Sequence, residues 1–241
     1  MKYSDLQVLS QPGGLFSVVG IESTPHDVFY VQSTHAAASD SNDGRSISAP
    51  LATLDAAFGT NMTADKGATV YVMPGHAETY STTGAKVTVD KAGAKVIGLG
   101  WGTNRPTFTY SHTGATWTIS AANCTLENLL FVTGIDSVTT FATVSGADCT
   151  MNGCETRDTT DIEVVTAFTC TGARLTVKGH FHNGYTGGDA NVRVFSLAGV
   201  AAALFEGCRF MTKVTTAVIG FVTTACTKIV IRGCDFLVDS T

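Results

Sequence analysis

A repeat of about 26 residues is the feature that most constrains how this chain can fold. A cassette of small residues recurs seven times, at steps of 26, 28, 25, 26, 27 and 26 residues. A second marker, an apolar residue two places before a Gly or Asn, recurs at steps of 30, 25, 26, 28 and 26 residues. The cassettes occupy residues 66–68, 92–94, 120–122, 145–147, 171–173, 198–200 and 224–226, and the markers occupy residues 96–98, 126–128, 151–153, 177–179, 205–207 and 231–233. A constant period of this size indicates stacked structural repeats.

Composition identifies the repeat unit as a coil of short β-strands. The chain has 37 Thr and 25 Gly, and only 15% of its residues are charged. Leucine-rich repeats have a similar period, but their Leu spacing and Asn ladder are absent here. Short Val, Ile, Thr and Phe runs favour strands, and no Pro follows Pro106, as expected where every strand is paired on both sides. The sequence therefore predicts an all-β, single-stranded, right-handed parallel β-helix of about seven coils over residues 66–241.

The markers also predict local geometry. In the last two repeats the alternation of apolar residues breaks at Gly207 and Gly233, so we expect a bend with positive φ at the Gly or Asn. The residue before the marker Gly would form an outward column in which Lys178, Glu206 and Arg232 alternate in sign, and Arg209 would face Asp235. Such cross-strand pairs stabilise the stacking of coils.

Two further segments precede the coils. Residues 50–58 predict a short amphipathic helix that caps the first coil, with Leu51, Leu54 and Phe58 on its buried face. Residues 1–28 carry no repeat and are interpreted as an N-terminal arm, and residues 29–65 as the N-terminal cap.

The cap and the first strand carry a resemblance. The runs SDSNDG (39–44), APLATLDAA (49–57) and TVYVMPG (69–75) resemble the beginning of right-handed β-helix proteins of the pectate-lyase-like superfamily. More narrowly, they are similar to versions encoded in tailed-phage genomes. The resemblance implies a parallel β-helix and often a homotrimer, but no particular activity.

Candidate catalytic and metal-binding residues are few. Glu155, Asp158, Asp161 and Glu163 form the densest acidic group, with Arg157 among them. They are either a glycan or calcium site or, as we favour, a solvated loop leaving the fourth coil, because no neighbouring coil supplies matching acids. The segment 40–44 begins like a calcium loop, but Leu51 stands where a bidentate Glu is needed, so a turn is favoured.

The cysteines are interpreted as core residues. Cys154, His180, Cys208 and Cys234 follow successive markers, and Cys124 and Cys149 lie 25 residues apart. A Cys–His–Cys column has zinc-ligand types, but buried free thiols stacked inward are favoured. We predict no metal, cofactor or catalytic site.

These observations predict a phage virion structural protein, a homotrimeric capsid decoration or cement protein assembled in the host cytoplasm and located in the virion. The alternatives are a tailspike-type polysaccharide-degrading enzyme and a glycan-binding adhesin. Net charge is −5 without a basic run, and no apolar run has membrane-spanning length, so neither nucleic acid nor membrane is an expected partner. The expected partners are sister chains, which would help cover Phe236, Leu237 and Val238, and the major capsid protein. The arm is the predicted attachment segment, through its apolar residues Leu6, Val8, Leu9, Leu15, Phe16 and Val18.

Overall fold

A computed structural model describes residues 7–10, 16–19, 27–59, 62, 67–159, 162–184, 191–222 and 224–240, with backbone alone for 7–10, 16–19 and 239–240. Its one α-helix in this part of the chain is α1 (Leu54–Phe58). The strands are β1 (Gln7–Ser10), β2 (Phe16–Val19), β3 (Val28–Val31), β4 (Thr69–Val72), β5 (Ala77–Tyr80), β6 (Gly84–Val89), β7 (Lys95–Gly98), β8 (Thr107–Tyr110), β9 (Ala115–Ile119), β10 (Thr125–Glu127), β11 (Leu130–Thr133), β12 (Val138–Val144), β13 (Thr150–Asn152), β14 (Glu155–Arg157), β15 (Val164–Cys170), β16 (Leu175–Lys178), β17 (Phe181–Asn183), β18 (Asn191–Leu197), β19 (Ala201–Glu206), β20 (Arg209–Phe221), β21 (Thr227–Arg232) and β22 (Asp235–Ser240).

The strands from β3 onward stack as parallel ladders on three faces. Face 1 has the order β3-β4-β7-β10-β13-β16-β19-β21. Face 2 has the order β5-β8-β11-β14-β17-β20-β22, and face 3 has the order β6-β9-β12-β15-β18-β20, because the long β20 runs through both faces. Each turn of the chain adds one strand to each face. The predicted all-β parallel β-helix is confirmed, with six complete turns and two strands of a seventh.

Inward side chains of consecutive turns lie directly above one another. On face 1, register partners form one buried apolar column: Phe29, Val70, Val96, Leu126, Met151, Val177 and Phe205. On face 3, Phe168 stacks on Phe195 with ring centroids 5.1 Å apart. Because each strand pairs in register with the strands of neighbouring turns, the apolar position of one repeat packs on the same position of the next.

The bends at the markers have the predicted backbone geometry. Asn128, Gly153, Gly179, Gly207 and Gly233 all have φ between 53° and 61°. The first marker differs: Gly98 has no positive φ, and its missing side chain instead leaves room for the carbonyl of Asn128. Asn128 in turn donates from Nδ2 to the carbonyl oxygens of Gly98 and Gly100 at 2.9 and 3.0 Å.

The N-terminal cap contains the predicted helix, but α1 begins at Leu54 rather than at Pro50, and Leu51 instead pairs with Val31 in an isolated parallel bridge. Leu51, Leu54 and Phe58 are buried against the first turn. Asp55 accepts a hydrogen bond from the backbone N–H of Thr88 at 2.9 Å, which satisfies a donor on the free edge of β6. Asp40 accepts the N–H groups of Ala52 and Thr53, so the segment 40–44 is used as a turn.

The N-terminal arm contains a hairpin that the repeat analysis did not predict. Strands β1 and β2 pair antiparallel in a two-stranded sheet of their own, with Val8 opposite Val18 and Leu9 opposite Ser17. Leu6 and Leu15 lie outside the described residues. Across the described part of the chain, no helix has both the length and the apolarity to cross a membrane.

A Gly172→Ala substitution tests the closeness of the turns. The added Cβ would overlap the carbonyl oxygen of Gly146 in the preceding turn, so we expect destabilisation of about 1–3 kcal/mol, measured by thermal or denaturant unfolding. Gly59→Ala is the matched control, because its Cβ would meet its nearest neighbour at an ordinary 3.6 Å. Equal stability of the two variants would contradict the packing described here.

Candidate functional site

The structure divides the acidic group between the surface and the interior. Glu155 lies on the outward side of β14 and is 8% exposed. Asp158 points inward, like Thr156 two residues before it, and is 3% exposed. Asp161 lies outside the described residues. The expectation of a solvated loop is therefore wrong for Glu155 and Asp158, because each carboxylate is enclosed by specific partners.

Glu155 joins two turns of the solenoid. Its Oε2 accepts a hydrogen bond from Arg105 Nη1 at 2.8 Å, and its Oε1 accepts from Arg157 Nη2 at 2.6 Å. Arg105, which belongs to the second turn, also donates to the carbonyl of Gly153 in the fourth. Burial lowers the pKa of Arg105 from its ordinary value, partly offset by the Glu155 charge. With both oxygens held by guanidinium groups, Glu155 acts as a clamp between turns.

A second constellation, which we call the polar core cluster, lies wholly inside the fourth to sixth turns. All of its side chains are buried, at 0–3% exposure. Its members are Thr156, Asp158, His180, His182, Asn191 and Thr212.

Hydrogen bonds fix the protonation of the polar core cluster. Asn191 donates from Nδ2 to Asp158 Oδ2 at 2.9 Å and to the carbonyl of Val164 at 2.7 Å, so its Oδ1 is an acceptor. His182 Nε2, 3.3 Å from this oxygen, therefore carries the proton, and His182 Nδ1 accepts from the Thr156 hydroxyl at 2.7 Å. His180 Nε2 in turn donates to Thr156 Oγ1 at 3.1 Å.

This network leaves one acceptor unpaired and keeps both imidazoles neutral. His180 Nδ1 is buried, and no group in the described part of the chain forms a hydrogen bond with it. Burial, with a smaller contribution from His182, lowers the pKa of His180 to about 3, and burial also lowers the pKa of His182. Burial raises the pKa of the Asp158 carboxyl. Because these side chains are enclosed, the cluster pairs its polar atoms inside the solenoid, His180 Nδ1 excepted, and offers no surface to a substrate.

A third constellation links the cap to the first turn, and sequence analysis missed it. Glu78 Oε1 accepts the backbone N–H of Leu54, the first residue of α1, at 2.6 Å, and His76 Nε2 at 2.9 Å. His76 Nδ1 accepts the backbone N–H of Ser33, so Nε2 is the protonated nitrogen. Tyr80 OH accepts a hydrogen bond from Trp117 Nε1 at 3.1 Å, and burial followed by the Glu78 charge raises the pKa of Tyr80 well above its ordinary value. The two-residue spacing of His76, Glu78 and Tyr80 is the signal that sequence analysis could have used. It puts Glu78 and Tyr80 on one side of β5, with His76 directly before the strand.

The cysteine column lies inside the solenoid, as predicted. Cys154, His180 and Cys208 are each 1% exposed, and Cys234 is partly buried. Burial raises the pKa of Cys154 and Cys208 to about 11, so both remain thiols at neutral pH. Within the described residues, no three His, Cys, Asp or Glu side chains are grouped to hold a metal ion.

The predicted charge ladder on face 1 is confirmed. Glu206 lies 3.5 Å from Lys178 and 2.7 Å from Arg232, in the turns on either side. Arg209 and Asp235 are register partners on face 2, and Arg209 also lies over the ring of Phe181. These charges stabilise contacts between turns.

Comparisons with known proteins identify the fold. No family model matches the chain, and no curated protein matches its sequence significantly. A solved structure of a rhamnogalacturonan lyase is similar, with a TM-score of 0.54 and 16% identity over 86% of this chain and 56% of that one. The chain thus spans just over half the length of that structure. The parallel solenoid and this likeness fit a pectate-lyase-like β-helix, and at this identity the likeness concerns the fold alone.

Acidification tests the neutral state of the polar core cluster. In the unfolded chain each His binds a proton below about pH 6.5, whereas in the folded chain His180 stays neutral down to about pH 3. The free energy of unfolding should therefore fall by about 1.4 kcal/mol per pH unit for His180 below pH 6.5, with a further loss from His182. Asp158 opposes this, because its raised pKa favours the folded state as pH falls towards 3.8.

The control for this prediction is His180→Leu. It removes the unpaired Nδ1 and leaves His182 bonded to Thr156, so stability near pH 7 should be little changed while the loss of stability between pH 6.5 and 4 becomes smaller. Urea unfolding at a series of pH values measures the free energy of unfolding of the unsubstituted chain and of the variant. An identical pH dependence in the two proteins would contradict a neutral, buried His180.

Proposed function

We propose that the chain is a structural protein of a phage particle, a capsid decoration or cement protein that acts as a homotrimer in the virion. The use of its acidic side chains carries this proposal. Glu155 is held by two arginines, Asp158 is enclosed in the polar core cluster, and Glu78 binds the capping helix. A polysaccharide lyase or hydrolase needs carboxylates that can reach a sugar. Glu155 and Asp158 instead hold turns together, and Glu78 holds the cap to the first turn.

The hairpin of the N-terminal arm supports a role in attachment. It forms a sheet separate from the three faces of the solenoid, and its strands contain the apolar residues Val8, Leu9, Phe16 and Val18. A two-stranded hairpin has marginal stability alone and gains stability by packing against another surface. We propose that the major capsid protein supplies that surface.

The seventh turn supports contact with other chains. Phe236, Leu237 and Val238 of β22 are 45%, 50% and 41% exposed, and Val230 and Ile231 of β21 are similarly exposed. Apolar residues concentrated on one turn are typical of a contact surface. In the proposed particle, sister chains or the capsid cover this turn.

Deletion of residues 1–26 tests the attachment role, because it keeps Asp27, which pairs with Arg45, and Val28, the first residue of β3. The truncated protein should keep the circular dichroism and melting temperature of the full chain, because β3 and all three faces remain, yet it should no longer bind capsids in a co-sedimentation assay. The full-length chain with Phe236→Ser is the control: it keeps the arm and changes only the seventh turn, so it separates binding through the arm from binding through that turn. Full-occupancy binding by the truncated protein would contradict the proposal, as would release of unsaturated or reducing sugar ends from polysaccharides by the full chain.

A further inference from the structure

The three faces of the solenoid differ sharply in charge. The strands of face 1 contain six charged residues: Lys95, Glu127, Lys178, Glu206, Lys228 and Arg232. The strands of face 2 contain seven: Glu78, Glu155, Arg157, Arg209, Lys213, Asp235 and Asp239. The strands of face 3, which are longer, contain only Lys86 and Arg193 and no acidic residue.

Apart from Lys86 and Arg193, the outward side of face 3 carries rows of small, uncharged side chains. One row of register partners is Thr88, Thr118, Thr143, Thr169, Ser196 and Gly220. The next row places Thr140 beside Thr166, and Thr166 beside Arg193. The inward neighbours of these residues, such as Trp117 and Phe168, are fully buried, so the Thr side chains point outward. Short uncharged side chains lose little hydration or rotamer freedom when another surface covers them.

Arg193 supplies an independent observation on the same face. Its side chain lies along the surface over Gly220, where any Cβ would collide with Cδ and Nε. Its Nε is buried and has no hydrogen-bond partner among the residues that the structure describes. A buried guanidinium donor without an acceptor is costly, and the course of this side chain over Gly220 keeps Arg193 flat against face 3, so that it leaves the face open to a covering surface.

The size of face 3 is sufficient for a specific interface. Six strands at about 4.8 Å spacing and about 20 Å of strand length give roughly 600 Å². Two such surfaces in contact would bury about 1,200 Å², above the roughly 1,000 Å² expected of a specific interface. The occupant that fits is a second copy of this chain, because the central strands β9, β12 and β15 carry no charge, and an equivalent surface with the same strand spacing meets them without unpaired charges.

We infer that face 3 is the surface by which copies of this chain associate side by side. The inference adds to the proposed function the surface through which copies of the chain meet. It rests on the proposed function only for the number of copies in the assembly. Faces 1 and 2, with their charges and ion pairs, then remain towards solvent or the particle.

The test is a Thr143→Glu substitution, measured by sedimentation equilibrium of the full chain at concentrations up to about 100 µM, well above a micromolar dissociation constant. A carboxylate at the centre of face 3 would be buried against another copy, so the dissociation constant should rise at least about tenfold. Thr169→Lys, with the opposite charge, should act in the same direction and covers the case in which one variant folds poorly.

Thr150→Glu is the matched control, since Thr150 is a partly exposed, outward Thr at the centre of face 1. It should leave association within about twofold of the unsubstituted chain. A monomeric unsubstituted chain at about 100 µM, or equal weakening by Thr143→Glu and Thr150→Glu, would overturn the inference. Normal association without capsid binding would contradict the proposed function alone.

Discussion

The hydrogen bonds between successive turns are the constraint on which the rest of the structure depends. Every strand of the solenoid donates to and accepts from strands one turn away, as when Thr125 donates to Ala94 and Thr150 donates to Cys124. Such ladders stay in register only if every turn has nearly the same path, and variation in turn length is therefore confined to the bends and loops. The period near 26 residues, the glycines at close approaches and the buried columns all follow from this requirement.

Stacking also determines how polar groups can be placed inside. A polar residue on an inward column has the same column of the adjacent turns as its neighbours, so it needs partners there. Thr156 and His182 are register partners on β14 and β17, and Asn191 bridges them to Asp158. Gly184 leaves the space for this arrangement, because a Cβ there would lie 2.7 Å from His182 Nε2 and 2.9 Å from Asp158 Oδ2. Enclosed polar groups thus stabilise specific turns.

The fold could be predicted from sequence because its signals repeat, whereas the interior polar groups could not. The markers at Gly153, Gly179 and Gly207 recur with the backbone and report its bends directly. Asp158 and His182 occur once each, and whether a residue near a bend points inward depends on which side of the bend it lies. Asp158 was assigned to a solvated loop for this reason. The hairpin at residues 7–19 has no repeat, and nothing in the period predicts it.

Native-state hydrogen exchange measures the central claim, that inter-turn ladders hold the molecule together, most directly. The account predicts the slowest amide exchange in the third and fourth turns, for peptides covering residues 124–133 and 150–157, which have a paired turn on each side. Exchange should quicken towards residues 227–238, where β21 and β22 each pair on one side only. Uniformly fast exchange across all turns, or slower exchange in the seventh turn than in the third, would contradict it.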